Sequence, residues 1–116
     1  MKITRVFSDQ SGESFFEDIE IGLSDAGDIG ILSEKFKATG IIFRETPEGY
    51  NYAWHTAPRR QYVVNLAGEF EITVSSGETR RFGDGEIILL EDTTGKGHCS
   101  KAVGRQYRKS IFVTLD

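Results

Sequence analysis

The chain has 116 residues, a formal net charge of −4 and 38% hydrophobic residues, which is typical of one ordinary globular domain. The negative charge argues against a nucleic-acid partner, because phosphate binding needs a concentrated basic surface. No stretch approaches the roughly 20 apolar residues of a membrane helix, the early N-terminus is too polar for a signal peptide, and the single cysteine, Cys99, cannot form an internal disulfide. We therefore expect one cytoplasmic domain over residues 1–116 that does not bind membranes.

The first part of the chain contains two predicted strands. Residues 2–7 are rich in β-branched and aromatic side chains, and residues 14–23 alternate apolar with polar side chains before a turn at 24–28. The first of these is predicted as an edge strand that is exchanged between subunits. The segment 29–39 is ambiguous, although residues 31–35 could form one helical turn.

The rest of the chain is predicted as short strands that are connected by turns. A period of two is clearest over residues 69–74, where Phe70, Ile72 and Val74 share one face. The other predicted strands cover residues 40–45, 61–65, 79–82, 86–90, 98–103 and 110–115. Short strands with turns about every eight to twelve residues, without a long amphipathic helix, predict an all-β antiparallel sandwich or barrel.

The only two histidines, His55 and His98, lie on either side of most of this predicted sheet. Folding the intervening segment into a sheet could bring the two imidazoles face to face. Strand alternation places Gln61 and Asn65 on one face, and His55 reaches the same end of the sheet from the preceding segment. Cys99 points away from His98 in an extended chain, which argues against a Cys-His nucleophile pair.

Two stretches of the chain resemble the sequence motifs of the cupin superfamily. The first motif places a His-x-His pair after a glycine and ends with a glutamate and a second glycine. Here Gly49, His55 and Gly68 match its frame, whereas Ala57 replaces the second histidine and Gln61 replaces the glutamate.

The second motif contains a glycine and a Pro-x-Gly, followed by a histidine and an asparagine. Gly95 and His98 are in step with it, Gly85 is two residues out of step, Thr93 replaces the proline and Ala102 replaces the asparagine. The resemblance implies a jelly-roll β-barrel with little helix.

The same resemblance implies a site inside the barrel, where the family holds a metal with three histidines and a glutamate. The corresponding metal ligands are His55, Gln61 and His98, for one divalent ion of iron, manganese, nickel or zinc, and the two histidines are the candidate catalytic residues. This set lacks an anion to offset the metal charge. Glu91 or Glu45 would supply one by turning inward, and a barrel without metal is the alternative.

Further residues are predicted to contact a ligand in this cavity. A guanidinium binds a carboxylate through two hydrogen bonds, so Arg44, and either Arg59 or Arg60, could hold an anionic substrate. The predicted substrate-binding residues are Arg59, Arg44, Asn65, Tyr62 and Glu91. Tyr50, Tyr52, Trp54 and Tyr62 are either pocket residues or core residues.

Three functions are compatible with these features. The first is a metal-dependent oxygenase or isomerase that acts on a small organic acid. The second is a metal-free protein that binds a small molecule, for acid–base chemistry or as a sensor. The third is a structural module with a vestigial site. Resemblance to small cupins also implies a homodimer.

Overall fold

The computed structural model of the protein describes all residues, 1–116, and consists mainly of β-strands. The strands are β1 (Lys2–Ser8), β2 (Ser14–Glu20), β3 (Ser24–Asp25), β4 (Ile31–Leu32), β5 (Gly40–Thr46), β6 (Asn51–His55), β7 (Gln61–Ala67), β8 (Glu69–Val74), β9 (Thr79–Phe82), β10 (Ile87–Leu90), β11 (His98–Val103) and β12 (Arg108–Thr114). The one helical element is a 3-10 turn over Gly27–Ile29. None of the chain forms a helix with the length and hydropathy that crossing a membrane requires.

Ten of the strands form two sheets that enclose a common interior. The order of the larger sheet is β2-β1-β10-β7-β12-β5 and that of the smaller is β6-β11-β8-β9, while β3 and β4 form a separate hairpin. Neighbouring strands are antiparallel except for the parallel pair of β1 and β10. This arrangement confirms the predicted all-β jelly-roll fold.

The core lies between the sheets and follows the alternation of the strands. Phe70, Ile72 and Val74 of β8 are buried as predicted, and Val63 and Ile88 face them from the larger sheet. Such apolar side chains supply most of the folding free energy, at about 25 cal/mol for each Å² removed from water. All of these side chains except Val74 also form part of the wall of a cavity.

Two free sheet edges lie beside this cavity. Strand β5 ends the larger sheet and β6 ends the smaller one. Residues of both strands line the cavity, and two of them, Ile42 of β5 and Tyr52 of β6, are exposed to solvent. The interior therefore opens to solvent between these two edges.

The prediction that residues 2–7 form an edge strand is wrong. Strand β1 pairs with β2 over its whole length and with β10 on its other side, so it has no free edge to exchange with a second subunit. The sequence of a strand indicates which of its faces is buried. It does not indicate whether the strand pairs with one neighbouring strand or with two. The homodimer stays a prediction, and the free edges that the fold offers belong to β2, β5, β6 and β9.

The prediction of a helical turn over residues 31–35 is also wrong. Ile31 and Leu32 form strand β4, which pairs with Ser24 and Asp25 of β3. The short 3-10 turn lies between these two strands instead. Strand β6 is a further element that the sequence pattern did not predict.

Candidate functional site

A cavity of about 370 Å³ lies between the two sheets. This volume is at the lower end of the range of small-molecule sites, about 300–1,000 Å³. Its middle is apolar, with Val63, Ile72 and Phe112 in the wall. Its polar groups lie in two places, one that contains the histidines and one that contains two arginines.

The two histidines lie side by side at one end of the cavity. His55 ends β6, His98 begins β11, and the two residues are direct partners in the antiparallel pairing of these strands. Their ring centroids are 4.5 Å apart with an angle of 58° between the planes. The sheet thus brings the two imidazoles together, as the sequence analysis expected.

This approach of β6 and β11 depends on Gly97. Its φ of +72° lies in the left-handed region, and a Cβ atom there would be 2.1 Å from the carbonyl oxygen of His55. No larger residue fits without moving one of the two strands. Gly97 therefore sets the spacing between the histidines.

Asp92 is a buried partner of His98 that the sequence analysis missed. Nδ1 of His98 donates a hydrogen bond to Oδ2 of Asp92 at 2.5 Å, and both side chains are buried. Oδ1 of Asp92 has no hydrogen-bond partner. Alternation was the available signal: Leu90 faces the cavity, so Glu91 points outward and Asp92 points inward.

The hydrogen bonds of both histidines assign the proton to the same nitrogen. Nδ1 of His55 lies 2.7 Å from the carbonyl oxygen of Ala53, and a carbonyl only accepts, so this Nδ1 carries hydrogen. The contact of 2.5 Å between Nδ1 of His98 and Oδ2 of Asp92 assigns the hydrogen of His98 to Nδ1 in the same way. In the neutral form of each ring, Nε2 is therefore left as a proton or hydrogen-bond acceptor.

We expect a pH dependence of stability from His55. Burial, together with the nearby His98, lowers the pKa of His55 below its ordinary value, although the Ala53 carbonyl acts in the opposite direction. On acidification the unfolded chain takes up this proton first, near pH 6.5, and the folded protein takes it up only at lower pH. The free energy of unfolding therefore decreases as the pH falls from the pKa of His55 in the unfolded chain to its lower pKa in the folded protein. Below the folded-state pKa, the contribution of His55 no longer changes with pH.

Chemical denaturation of the wild type and of His55→Gln between neutral and mildly acidic pH measures this effect. The difference in free energy of unfolding between the two proteins is expected to change with pH, with the wild type losing more on acidification. Parallel pH profiles would show that His55 has the same pKa in both states.

Two arginines lie close together at the other end of the cavity. Arg44 of β5 and Arg108 of β12 both have their guanidinium carbon within 6 Å of the Tyr50 ring centroid, at 5.3 and 5.8 Å, and Arg108 also covers Phe70 at 4.0 Å. Arg108 is buried, and its Nε has no hydrogen-bond partner. Burial and the charge of Arg44 lower the pKa of Arg108 to about 10, so it stays charged at neutral pH.

The cavity holds positive charge without a compensating carboxylate. Arg44, Arg59 and Arg108 line it, no Asp or Glu side chain does, and none of the three forms an ion pair. Arginines on the outer surface behave differently. Those that pair with carboxylates are Arg5, Arg60, Arg80 and Arg81. Burying an unpaired charge is costly, and of the three cavity arginines Arg108 is the one that is buried, whereas Arg44 and Arg59 are half-buried.

Five of the residues predicted for the site do line the cavity. They are His55, His98, Gln61, Arg44 and Arg59. Tyr50 and Tyr52 line it as well, whereas Trp54 is exposed outside. Besides Asp92, the charged residue that was not predicted is Arg108, which belongs to no sequence motif.

Three other predicted residues lie outside the cavity wall. Asn65 faces inward, but it is completely buried, and its Nδ2 donates to the carbonyl oxygens of Gly68 and Gly83 at 2.8 Å. Its role is therefore to hold the turns at the end of the barrel. Tyr62 points outward because it alternates with the inward Gln61.

Glu91 is likewise an outer-surface residue. Its carboxylate accepts hydrogen bonds from Arg5 at 2.5 Å and from Arg60 at 2.8 Å. It is therefore not a partner for Arg44 or an anion for the cavity, and Glu45 is exposed and does not line the cavity either.

The donor atoms of the cavity do not fit a resident transition metal. His55 and His98 supply two neutral imidazoles, and the amide oxygen of Gln61 accepts a hydrogen bond from Arg59. Ala57 occupies the position of a further histidine, and no cluster of three or more His, Cys, Asp or Glu side chains could hold a metal. A divalent cation here would have two nitrogen ligands and no anionic ligand, in a cavity that three arginines line.

Comparisons with known proteins identify the fold. No protein-family model matches the chain, and no curated protein matches it. A conserved protein of unknown function from Streptococcus pyogenes, SPY1581, is 25% identical with a TM-score of 0.51, over 72% of this chain and 70% of that one.

Two solved structures of cupins are similar to the model. An RmlC-like cupin family protein with a double-stranded β-helix fold from Methanocaldococcus jannaschii is 13% identical with a TM-score of 0.54, over 84% of this chain and 91% of that one. The Cnp3 cupin domain of Schizosaccharomyces pombe is 15% identical with a TM-score of 0.55, over 99% and 88%.

The two facing sheets and the cavity between them place this chain among the small jelly-roll barrels. Its structural similarity to cupins confirms the fold that the resemblance of the sequence motifs implied. The chain has the cupin fold.

Proposed function

We propose that this protein binds a small organic anion in the cavity between its two sheets and does so without a resident transition metal. The single observation that supports this proposal is the set of three cavity arginines that no carboxylate neutralises. A bound anion would supply the missing counter-charge. It would also give the buried Nε of Arg108 a hydrogen-bond acceptor.

The arginine end is suited to a carboxylate. Two guanidinium groups beside Tyr50 offer several N–H donors, and a carboxylate can accept two of them from one arginine in parallel. The site is partly shielded from water by Phe70 and Phe112, which strengthens such charge-assisted hydrogen bonds. A neutral ligand would leave the arginine charges uncompensated.

The histidine end gives the bound molecule a polar environment of a different kind. Asp92 holds the ring of His98 through Nδ1, so Nε2 is left to accept a hydrogen bond from a bound molecule. An imidazole that is held in this way can also take up a proton. Acid–base chemistry on the bound anion is therefore the second function that the site supports.

A thermal-shift screen of the tag-free protein tests anion binding. We expect small organic acids to raise the melting temperature of the wild type, whereas the amides of the same acids do not, because ligand binding stabilises the folded state by mass action. Arg44→Gln should lose the shift. Arg105→Gln is the matched control, since Arg105 is exposed and forms no ion pair. Equal shifts with acids and amides, or none with any acid, would contradict the proposal.

Elemental analysis of the same preparation separates the alternatives. We expect no stoichiometric iron, manganese, nickel or zinc in the wild type or in a His55→Ala, His98→Ala double variant. A near-stoichiometric metal that is lost from the double variant would instead favour a metal-dependent oxygenase or isomerase.

A further inference from the structure

The positive charges of the cavity lie at both of its ends. Arg108 pairs with Thr46 at one end of the β5–β12 ladder. Arg59 precedes β7 and lies at the opposite end, where its Nη1 donates to Oε1 of Gln61 at 3.4 Å. Gln61 pairs with Thr114, the last residue of β12.

The pairing register gives the separation of these two ends. Arg108 and Thr114 are the first and last residues of β12, so the strand between them is about 20 Å long at roughly 3.3 Å per residue. Side chains that lean inward shorten this distance. Arg44 lies close enough to Arg108 to lower its pKa, and both guanidinium groups lie over the Tyr50 ring. Arg59 contacts neither that ring nor the other two arginines. One carboxylate therefore cannot satisfy both ends.

The wall between the two ends is apolar. Phe112 and Val63 are partners halfway along the β7–β12 pairing. Ile88 lines the cavity from the same sheet, and Ile72 lines it from the opposite sheet. A ligand that reaches from one end to the other would pass its middle over these side chains. That middle is consequently expected to be a hydrocarbon chain, which is stabilised by burial.

We infer that the ligand is a dianion, with two carboxylates separated by a short hydrocarbon chain. One carboxylate binds Arg44 and Arg108, and the other binds Arg59 beside the histidines. This inference rests on the proposed function, since it requires that the cavity binds an organic anion at all. It goes further by assigning a charged group of the ligand to each end of the cavity.

The histidine end also permits a different second group. Nε2 of His55 and Nε2 of His98 are acceptors in the neutral rings, so a hydroxyl donor would suit them, whereas Arg59 favours an anion. A full charge on Arg59 with no carboxylate nearby makes the anion the better occupant, because a charge-assisted hydrogen bond is stronger than a neutral one.

Isothermal titration calorimetry with three matched series of ligands tests the inference. The dicarboxylates succinate, adipate and suberate are compared with the monocarboxylates and with the ω-hydroxy acids of the same chain lengths. We expect one dicarboxylate to bind about tenfold to a hundredfold more tightly than its matched monocarboxylate. Arg59→Gln should bring that dicarboxylate down to the affinity of the monocarboxylate, and Arg105→Gln should retain the full difference.

The outcomes distinguish this inference from the proposed function. If monocarboxylates or hydroxy acids bind as tightly as every dicarboxylate, or if Arg59→Gln retains the preference, the dianion inference is wrong while anion binding stands. If none of the acids binds, both are wrong. Circular dichroism and thermal denaturation of Arg59→Gln show whether the variant is folded, and Arg59→Lys is the second variant, which retains the charge and is expected to retain most of the preference.

Discussion

Replacing Arg108 by methionine is expected to abolish anion binding without weakening the fold. The guanidinium is buried, lacks an ion pair and has an Nε without a partner. Its removal eliminates the cost of burying an unpaired charge, while methionine retains an apolar contact with Phe70. We expect the free energy of unfolding of the ligand-free protein to stay the same or to rise by about 1 kcal/mol. Affinity for organic acids should fall by about a hundredfold or more.

Calorimetric titration with the best acid and urea denaturation of the ligand-free protein measure the two effects. Arg81→Met is the matched control, because Arg81 lies on the outer surface and pairs with Glu69 and Glu71. Loss of such an exposed pair costs about 0–1 kcal/mol and should leave binding unchanged. If Arg108→Met loses more than about 2 kcal/mol of stability, the stacking of Arg108 on Phe70 is structural and the ligand is not its reason.

The alternation of apolar and polar residues in the sequence predicts the strands of the barrel and which face of each strand is buried. Residues 69–74 show this best, because each inward residue is large and apolar and each outward residue is polar. His55 could be placed near the cavity because the frame of Gly49 and Gly68 matches a known motif. The spacing of the motif indicates which positions face the cavity even where the residue type differs, and it therefore predicted the position of Gln61 as well.

Other parts of the site could not be predicted, for different physical reasons. Arg108 belongs to no sequence motif. Because arginines are seldom buried without a partner, the residue type alone predicts an exposed side chain. Glu91 was predicted and Asp92 was not considered, although alternation from Leu90 places Asp92 on the inner face. Asn65 was placed on the correct face, but only the three-dimensional structure shows that turns close the barrel there.

Sheet order was the least predictable feature of the fold. The composition of strand β1 is compatible with an edge strand and with an internal strand. Its parallel pairing with β10 joins residues that are more than eighty positions apart in the sequence. Pairings of this kind depend on the arrangement of all the strands. Local patterns contain little information about them.

Replacing Gly97 by alanine is expected to be among the most damaging single substitutions in this protein. Alanine at a φ of +72° is strained, and its Cβ would meet the backbone of His55 at 2.1 Å. Backbone atoms of two paired strands cannot yield as a flexible side chain can, so β6 must move away from β11. We expect the free energy of unfolding to decrease by about 3 kcal/mol or more, as measured by urea denaturation.

Gly104→Ala separates the two causes of this loss. Gly104 has a similar φ of +78°, but a Cβ there meets nothing within 4 Å, so this variant contains the conformational strain alone, about 1 kcal/mol. Trp54, the single tryptophan, precedes His55 on β6 and reports a movement of that strand by a change in fluorescence. If the two variants were equally stable and Trp54 were unchanged, β6 and β11 would have room to spare, and Gly97 would not determine the spacing of the histidines. A larger loss in Gly97→Ala, with altered Trp54 emission, would show that the pair of imidazoles exists because this position has no side chain.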